Sequence, residues 1–314
     1  MTAVTTLTTI VVNWNTVGLL DDCLQSIVDA TPASVDNQLV VVDNASTDGS
    51  VDHLRSRWPD VTVLANEANE GFCRANNRAI RETSSDFVLL VNTDARLAPD
   101  ALAVMLGYFD RDPRAAAVGP RLVYADGSFQ RWTAGQPFGL RSAASYFLML
   151  DRLVPRRATG IYLARDTTSP FRPGWVSSAV MALRREAIEE VGLLDDRIFV
   201  YMDDVDLCDR LTRQGWHVWY AADTTVVHFM GGSTTRGPSD ASTSPEALRA
   251  LNRWFARRHG PRRARQLRAL EVVGFGGRAA LYGLASVLRS SPSARSKMRA
   301  HLSHLRLALE PIHV

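Results

Sequence analysis

The fold is decided by the stretch TTIVVNWNTVGLLDDCLQSIVDATPASVDNQLVVVDN, residues Thr8 to Asn44. Its two ends, Thr8–Trp14 and Gln38–Asp43, are short runs rich in β-branched residues, which is typical of buried strands. Between them, apolar residues recur at the spacing of a helix, at Leu20, Cys23, Leu24, Ile27 and Val28. A strand, a helix and a second strand in this order predict a parallel βαβ unit.

The same alternation continues to about residue 91. The pattern predicts helices over Val51–Arg57 and Cys73–Thr83, and strands over Val61–Ala65 and Phe87–Val91. Repeated alternation of strand and helix predicts an α/β fold with a mostly parallel central sheet and helices on both faces. In such folds ligands bind beyond the carboxyl ends of the strands.

Polar side chains follow three of these predicted strands, at Asn13 to Asn15, at Asp43 and Asn44, and at Asn92 to Asp94. Asp and Asn also open turns, and the segment Asn44–Gly49 could do so without any ligand. Three strands that end in such residues at one edge of a sheet favour a binding site over turns alone.

The composition suits a large globular protein of a reducing compartment. The chain has 314 residues, of which 46% are apolar, so it can form one large domain or a domain with an appendage. Its three cysteines form neither a metal-binding nor a disulfide pattern. The N-terminal sequence lacks the basic start and long apolar run of a signal peptide, so a cytoplasmic location is expected.

The net charge of +3 conceals an uneven distribution. Residues 245–314 contain 14 Arg and Lys against 3 acidic residues, a balance of +11. The preceding residues contain 22 basic and 30 acidic side chains, a balance of −8. The excess of positive charge is therefore a property of the C-terminal segment.

Beyond about residue 115 the pattern shifts towards strands and loops, with an indistinct stretch over Gly139–Pro173. One strand is predicted over Gly174–Leu183 and a helix over Arg185–Val191. Two further strands are predicted over His217–Ala221 and Val226–Phe229, and a mobile loop or linker over Gly231–Pro245.

Four aspartates stand within seven positions of the segment YMDDVDLCDR, Tyr201 to Arg210. A helix that begins here would account for most of them. Asp203 would be its N-cap and Asp206 a second acid of its first turn. The other expected features are ion pairs of Asp206 with Arg210 and of Asp209 with Arg213, and burial of Val205, Cys208 and Leu211.

Asp204 is the one aspartate of this segment whose presence the predicted helix does not explain. Position 207 is Leu and position 208 is Cys, so no basic residue lies at helical spacing from it. Like charges this close raise one another's pKa unless a cation or a helix dipole offsets them.

Seven motifs occur in order along residues 7–235: VVNWN, VVVDNASTDGS, NEANEGFCRANN, VLLVNTD, GWVSSAVMALRREAIEEVGLLDD, YMDDVDLCDRL and VVHFMGGST. Together they resemble glycosyltransferase family 2, in particular its bacterial rhamnosyltransferase-like and galactofuranosyltransferase-like branch. The resemblance implies the type A glycosyltransferase fold, with a Rossmann-like central sheet, and inverting transfer from a nucleoside-diphosphate sugar. It implies a catalytic domain over residues 1–235, with a nucleotide-sugar half to about residue 115 and an acceptor half beyond it.

The resemblance also implies the residues of the site. Those matching nucleotide-sugar-binding positions are Trp14, Asn15, Asp43, Asn69, Asn92 and Asp94. The triplet Asn92-Thr93-Asp94 matches the metal motif Asp-x-Asp of the family, from which Asn92 departs, and His228 matches a histidine that completes the metal site. The implied cofactor is Mg²⁺ or Mn²⁺, which would neutralise the leaving diphosphate. Trp175 and Asp203 are expected beside the acceptor or the donor sugar, although Trp175 could equally be a core residue.

Inversion requires a base that takes the proton of the attacking hydroxyl group. The family places this base in the acidic segment, where the matching residue is Asp204, the carboxylate that helix chemistry left unexplained. We therefore predict Asp204 as the catalytic base. The donor is expected to be a deoxythymidine or uridine diphosphate sugar, with rhamnose leading, and the acceptor a glycan or a lipid-linked glycan of the cell envelope.

Residues 236–314 lie outside the resemblance and are expected to form a basic, mainly helical extension. Its apolar stretches are too short and too polar for a membrane span. Two interpretations remain open: basic amphipathic helices on an anionic membrane surface, at the inner face of the cell membrane, or an appendage packed on the catalytic domain or on a second subunit.

Other classes of function fit less well. A dinucleotide oxidoreductase needs GxGxxG after the first strand, where this chain has NWNTVG. The acidic body and the absence of a recognition motif argue against a nucleic-acid-binding protein. A catalytically silent nucleotide-sugar-binding protein, or a glycosyltransferase for a small-molecule acceptor, remains as an alternative.

Overall fold

The computed structural model describes residues 5–152, 160–163, 165–229, 244–288 and 290–311. The chain divides into two compact units. The first unit comprises Met1–Ala134 and Asp166–Pro238, and the second comprises Gly135–Arg165 and Ser239–Val314. The predicted boundary of the catalytic domain at residue 235, and the two halves within it, stay predictions.

The described residues form strands β1 (Thr5–Asn13), β2 (Val35–Asp43), β3 (Thr62–Ala65), β4 (Phe87–Asn92), β5 (Ala95–Leu97), β6 (Ala115–Val123), β7 (Ala134–Gly135), β8 (Trp175–Val176), β9 (Val180–Arg184) and β10 (His217–His228). Eight of them form one sheet in the order β3-β2-β1-β4-β9-β6-β10-β5. Strands β1 to β4 are parallel to one another, and β6 is parallel to β10. Strand β9 runs antiparallel to β4 and β6, and β5 runs antiparallel to β10. The predicted mostly parallel α/β sheet is therefore confirmed.

Helices of the first unit cover both faces of this sheet. They are α1 (Val17–Ala30), α2 (Ser50–Arg57), α3 (Gly71–Arg81), α4 (Ala101–Arg111), α6 (Arg185–Val191) and α7 (Asp203–Arg213). Helix α5 (Leu140–Phe147) belongs to the second unit. Leu7 and Val11 of β1 share one core cluster with α1 and α4, whereas Ile10 between them is buried outside that cluster. Because successive strand residues point to opposite faces, β1 is covered on both sides. Burial of each such side chain contributes about 1.5–3 kcal/mol.

Several predicted elements differ in detail from the structure. Val28 of the predicted apolar stripe is exposed, because the buried face of α1 is narrower than the stripe. The strand predicted over Gly174–Leu183 is interrupted at residues 177–179, where the chain turns between β8 and β9. The two strands predicted at His217–Ala221 and Val226–Phe229 are one strand, β10, whose pairing with β6 shifts in register between them. Most of the predicted linker, residues 231–243, lies outside the described residues.

The second unit is helical, as predicted for the C-terminal extension. It contains α8 (Pro245–Leu288) and α9 (Pro292–Leu309), and also α5, which comes from the indistinct stretch over Gly139–Pro173. Helix α8 is broken at Gly260, where φ is +81°. Gly tolerates this left-handed φ, and Pro261 cannot donate a helical hydrogen bond, so the two residues together cause the break. Gly274 of α8 lies so close to Phe147 of α5 that a β-carbon at position 274 would stand 2.8 Å from its backbone oxygen.

No helix in the described part of the chain is long and apolar enough to cross a membrane.

Candidate active site

The carboxyl ends of β1 and β2 place two polar side chains in direct contact. Asn13 lies opposite Asp43 in the sheet, and its side-chain amide donates to the Oδ2 atom of Asp43 over 2.7 Å. The backbone amide of Ser46 donates to the other carboxylate oxygen, Oδ1, over 2.8 Å. These bonds fix the buried carboxylate of Asp43 at the edge of the sheet.

The loop after β1 is tied to the loop after β2. The backbone amide of Asn15 donates to the hydroxyl of Ser46 over 2.8 Å, and the amide of Thr47 donates to the Oδ1 atom of Asn15 over 2.7 Å. Asn15 itself has a φ of +54°, which Asn tolerates better than most residues. Trp14 lies between these fixed points with 44% of its surface exposed, so its indole ring is available to a planar ligand.

The start of α3 is docked on the segment that precedes α7. Asn69 accepts a hydrogen bond from the amide of Gly71 over 3.0 Å, and the amide of Phe72 donates to the carbonyl of Phe199 over 2.7 Å. Gly71 has a φ of +82°, and a β-carbon there would lie 2.6 Å from the Phe199 oxygen. Only glycine allows this close approach.

Asn77 of α3 strengthens this connection, although the sequence analysis did not single it out. Its side chain donates to the carbonyl of Leu194 and to the carboxylate of Asp196, each over 2.7 Å, and accepts from the amide of Leu194 over 3.1 Å. One sequence feature could have identified Asn77: it is a polar residue at helical spacing from Cys73 and Ile80, on the buried face of α3. A buried amide of this kind needs such partners, and here they position the loop before α7.

Asp94 and His228 are brought together by the pairing of β10 with β5. His228 lies opposite Ala95 in that pair, and its Nε2 atom is 3.2 Å from the Oδ1 atom of Asp94. Both side chains are largely buried. Asn92, two residues before Asp94, is half-buried at the end of β4.

Gln130 orients the imidazole ring of His228. Its Oε1 atom is 3.0 Å from Nδ1 of His228, and its Nε2 atom donates to the carbonyls of His228 and of Val123. Because the amide nitrogen is used for these carbonyls, Oε1 accepts and Nδ1 of His228 carries the proton. The Nε2 atom is the ring nitrogen that faces Asp94. No pattern in the sequence pointed to Gln130, which is only 1% exposed and comes from a loop distant in the chain.

Asp94 and His228 together suit a divalent cation as a partial set of ligands. Carboxylate oxygen suits Mg²⁺ and Mn²⁺, and imidazole nitrogen favours Mn²⁺ of the two. A histidine that ligates a metal ion usually donates its other N–H to a fixed acceptor, as His228 does to Gln130. No cluster of three or more His, Cys, Asp or Glu that could hold a metal ion occurs in the described residues.

Helix α7 begins at Asp203, and its N-cap is Met202, which has no side-chain capping bond. The prediction that Asp203 is the N-cap was therefore wrong. Asp203 instead accepts a hydrogen bond of 2.6 Å from the hydroxyl of Ser178, a partner distant in the chain. Tyr201 and Met202 both have left-handed φ values, +64° and +71°, so the chain enters α7 through two strained residues.

Asp204, which has no basic residue at helical spacing, is bound by the backbone instead. Its Oδ1 atom accepts from the backbone amide of Val205 over 2.8 Å, one of the free donors at the start of α7. Burial, and then the neighbouring charge of Asp203, raise the pKa of Asp204 well above its usual range, while backbone amides of Val205 and Ser178 oppose the rise. Burial also raises the pKa of Asp203. The two carboxyl groups thus form a coupled pair with a raised affinity for a proton.

The other aspartates of α7 behave as predicted. Asp206 pairs with Arg210 over 2.8 Å and Asp209 pairs with Arg213 over 3.0 Å. The apolar face of the helix is buried, as predicted, at Val205, Cys208 and Leu211. These ion pairs leave Asp203 and Asp204 as the acidic residues at the helix start.

The turn between β8 and β9 connects the segment Asn92–Asp94 with α7. The amide of Asn92 donates to the carbonyl of Ala179 over 2.8 Å, and Ser178 next to it binds Asp203. Asp94, Ser178 and Asp204 therefore gather at one edge of the sheet. Trp175 precedes this turn and is only 4% exposed, and its predicted place beside a sugar stays a prediction.

Comparison with known proteins gives one family. The model of glycosyl transferase family 2 matches residues 8–192. An N-acetylglucosaminyl-diphospho-decaprenol L-rhamnosyltransferase of Mycobacterium tuberculosis is 33% identical over 227 residues, which are 68% of this chain and 72% of that protein. The O-antigen biosynthesis protein RfbC of Myxococcus xanthus is 28% identical over 220 residues, 68% of this chain and 16% of that protein.

Among solved structures, the chain resembles the mannosyltransferase PcManGT from Pyrobaculum calidifontis, in complex with GDP-Man and Mn²⁺. The TM-score is 0.61 at 19% identity, and the match covers 96% of this chain and 85% of that one. GalNAc-T7 with UDP, GalNAc and Mn²⁺ gives a TM-score of 0.57 at 16% identity, over 81% of this chain and 49% of that one. At these identities the likeness shows a shared fold, which confirms the fold class predicted from the motifs.

Proposed function

The chain belongs to glycosyl transferase family 2, and we propose that it moves rhamnose or a similar sugar from a nucleoside diphosphate to a glycan or lipid-linked acceptor. It is a glycosyltransferase of class EC 2.4 that takes its sugar from a nucleotide sugar, and its relatives include enzymes of cell-envelope synthesis. The identity of the sugar and of the acceptor is the proposed part.

The donor would lie beyond the carboxyl ends of β1, β2 and β4. In this proposal the exposed ring of Trp14 packs on the base and the fixed carboxylate of Asp43 accepts from it. Asn15, Asn69 and Asn92 would border the rest of the nucleotide sugar. The backbone ties of their loops hold these groups before the donor arrives, which lowers the entropy cost of binding.

Asp94 and His228 would hold Mg²⁺ or Mn²⁺, with Gln130 fixing the ring of His228. When bound, the ion would supply positive charge to a leaving diphosphate for which the chain offers a single lysine.

The observation that carries the proposal is the carboxyl pair at the start of α7. Asp204 lies at the same edge of the sheet as the metal motif, and burial and the charge of Asp203 raise its pKa. A raised pKa makes a carboxylate a stronger base towards an acceptor hydroxyl group. Asp203, held by Ser178, would border the acceptor and keep Asp204 in place.

A lipid-linked acceptor is supported by the relative from Mycobacterium tuberculosis, whose name specifies N-acetylglucosaminyl-diphospho-decaprenol. The name of that relative also supports rhamnose as the transferred sugar.

The test is transfer from a panel of nucleotide sugars to N-acetylglucosaminyl diphosphate on a short polyprenyl chain, with Mn²⁺ present. We expect deoxythymidine diphosphate rhamnose to be used best. Asp204→Asn should lower kcat by about 10² or more and leave the dissociation constant of the donor nearly unchanged. The acid limb of the pH–rate profile should lie above the range of an ordinary Asp, because the base must be deprotonated to act.

Asp209→Asn is the matched control, since it removes a carboxylate of the same helix that is paired with Arg213 at the surface. It should keep normal turnover. Normal turnover of Asp204→Asn would disprove the role of Asp204, and donor binding without any transfer would favour a silent nucleotide-sugar-binding protein.

A further inference from the structure

The last five turns of α8 present an apolar face to solvent. Its large exposed side chains, each between 57% and 77% exposed, are Val273, Leu281, Leu284, Val287 and Leu288. The exposed positions between them are filled by Gly277 and Ala280. These positions recur every three or four residues, so they lie along one side of the helix. From Ala269 to Leu288 the face is about 30 Å long.

The charged residues of this part of α8 are turned the other way. Between Ala269 and Leu288 the sequence contains two of them, Glu271 and Arg278, and both are buried. Arg278 donates to the backbone carbonyl of Tyr146 and lies over its ring, and Glu271 accepts from the side chain of Asn252. The helix therefore hides its ionisable groups and exposes its apolar ones, the reverse of an ordinary surface helix.

Contiguous apolar surface of this kind marks a site of contact with another body. The described residues of the second unit contain 16 Arg and Lys against 4 Asp and Glu. Lys297 of α9 lies over the ring of Tyr282, next to the apolar face, and Arg295 and Arg299 of α9 are exposed. A second copy would bring an equal excess of positive charge to the contact and be repelled. An anionic lipid surface is complementary to both features.

We propose that the face of α8 formed by Val273, Leu281, Leu284, Val287 and Leu288 inserts into the interfacial region of a membrane containing anionic phospholipid. The cations of α9 lie against the lipid phosphates, and the helix lies in the plane of the surface without crossing it. The proposal does not depend on the transferase chemistry, because it rests on the second unit alone.

A single fluorescent label tests the geometry. The native cysteines Cys23, Cys73 and Cys208 are all buried, so a cysteine introduced as Leu284→Cys can be labelled alone with a polarity-sensitive dye. On vesicles of phosphatidylcholine mixed with phosphatidylglycerol, its emission should shift to the blue and become protected from an aqueous quencher. The same dye at Val28→Cys, an exposed apolar position of α1, should not respond.

Variants separate the two contributions in vesicle sedimentation. Leu284→Gln with Leu288→Gln should weaken partitioning to anionic vesicles at least tenfold, whereas Val28→Gln should leave it unchanged. Neutralising Lys297→Gln should cost about fivefold on anionic vesicles and nothing on phosphatidylcholine alone. Circular dichroism of each variant verifies that the helices remain.

Two results would overturn the proposal. One is unchanged partitioning of the double leucine variant. The other is a dimer in sedimentation equilibrium whose dye at position 284 is already blue-shifted without vesicles, which would assign the face to a second copy of the chain.

Discussion

Glu271 of α8 provides a prediction whose size follows from the structure. The side chain is fully buried, and burial raises its pKa from the ordinary 4.5 to about 7, with the Asn252 amide opposing the rise. The folded protein therefore binds a proton that the unfolded chain releases between these pH values. The contribution of Glu271 to the free energy of unfolding is therefore greatest below pH 4.5 and falls as the pH rises to about 7.

Each pKa unit corresponds to about 1.36 kcal/mol, so the ionised carboxylate costs the fold roughly 3 kcal/mol above pH 7. Glu271→Gln removes this cost. The new amide keeps an acceptor for the Nδ2 atom of Asn252, and it adds a donor for the Oδ1 atom of Asn252, which has no partner among the described residues. We expect a gain of roughly 3 kcal/mol at about pH 8 and of less than about 1 kcal/mol at about pH 5.

The assay is urea unfolding followed by circular dichroism at the two pH values, with the wild-type chain and Glu271→Gln measured side by side. Glu246→Gln is the control, because Glu246 is an exposed acid of the same helix. A gain that is equal at both pH values, or absent at both, would refute the reasoning that burial sets the proton affinity of Glu271.

Two further predictions concern the first unit. Gln130→Met should weaken the binding of Mn²⁺ in the presence of a nucleoside diphosphate by about 10- to 100-fold, because the ring of His228 loses its fixed acceptor. Titration calorimetry measures this affinity. Gln130→Glu keeps the acceptor and should recover part of the lost affinity. Gly71→Ala should destabilise the first unit by about 2 kcal/mol or more, owing to its positive φ and the contact with Phe199. The same change at Gly107, within α4, would bring the new β-carbon into ordinary van der Waals contact with the flexible end of Arg111, 3.6 Å away. It should instead stabilise by about 0.5–1 kcal/mol, so equal effects of the two changes in thermal unfolding would contradict the argument.

The order of strands and helices was predictable because it depends on periodicity within short segments. The runs at Thr8–Trp14 and Gln38–Asp43 became β1 and β2, each of which begins three residues before its predicted start. The predictions failed where partners lie far away in the chain. The strand over Gly174–Leu183 is interrupted because residues 177–179 turn towards β4 and α7, and no local pattern records that turn.

The acidic segment shows the same division. Helical spacing was sufficient to predict the ion pairs of α7, because both partners lie on one helix. It was insufficient for Asp203, whose partner Ser178 comes from a different segment, and for Asp204, whose partner is a backbone amide. Gln130 was missed for the same reason, since its role exists only beside His228.

The α/β architecture, the helical extension and the types of side chain at the sheet edge all follow from the amino-acid sequence alone. Hydrophobic periodicity and the order of the motifs are local properties of the chain, so they are readable without coordinates. The pairing of Asp203 with Asp204, the side chain that orients His228 and the face of α8 that meets solvent become visible only in the folded chain. Proton affinity, ring orientation and exposure depend on neighbours brought in from distant segments, and their positions are fixed only when the chain is folded.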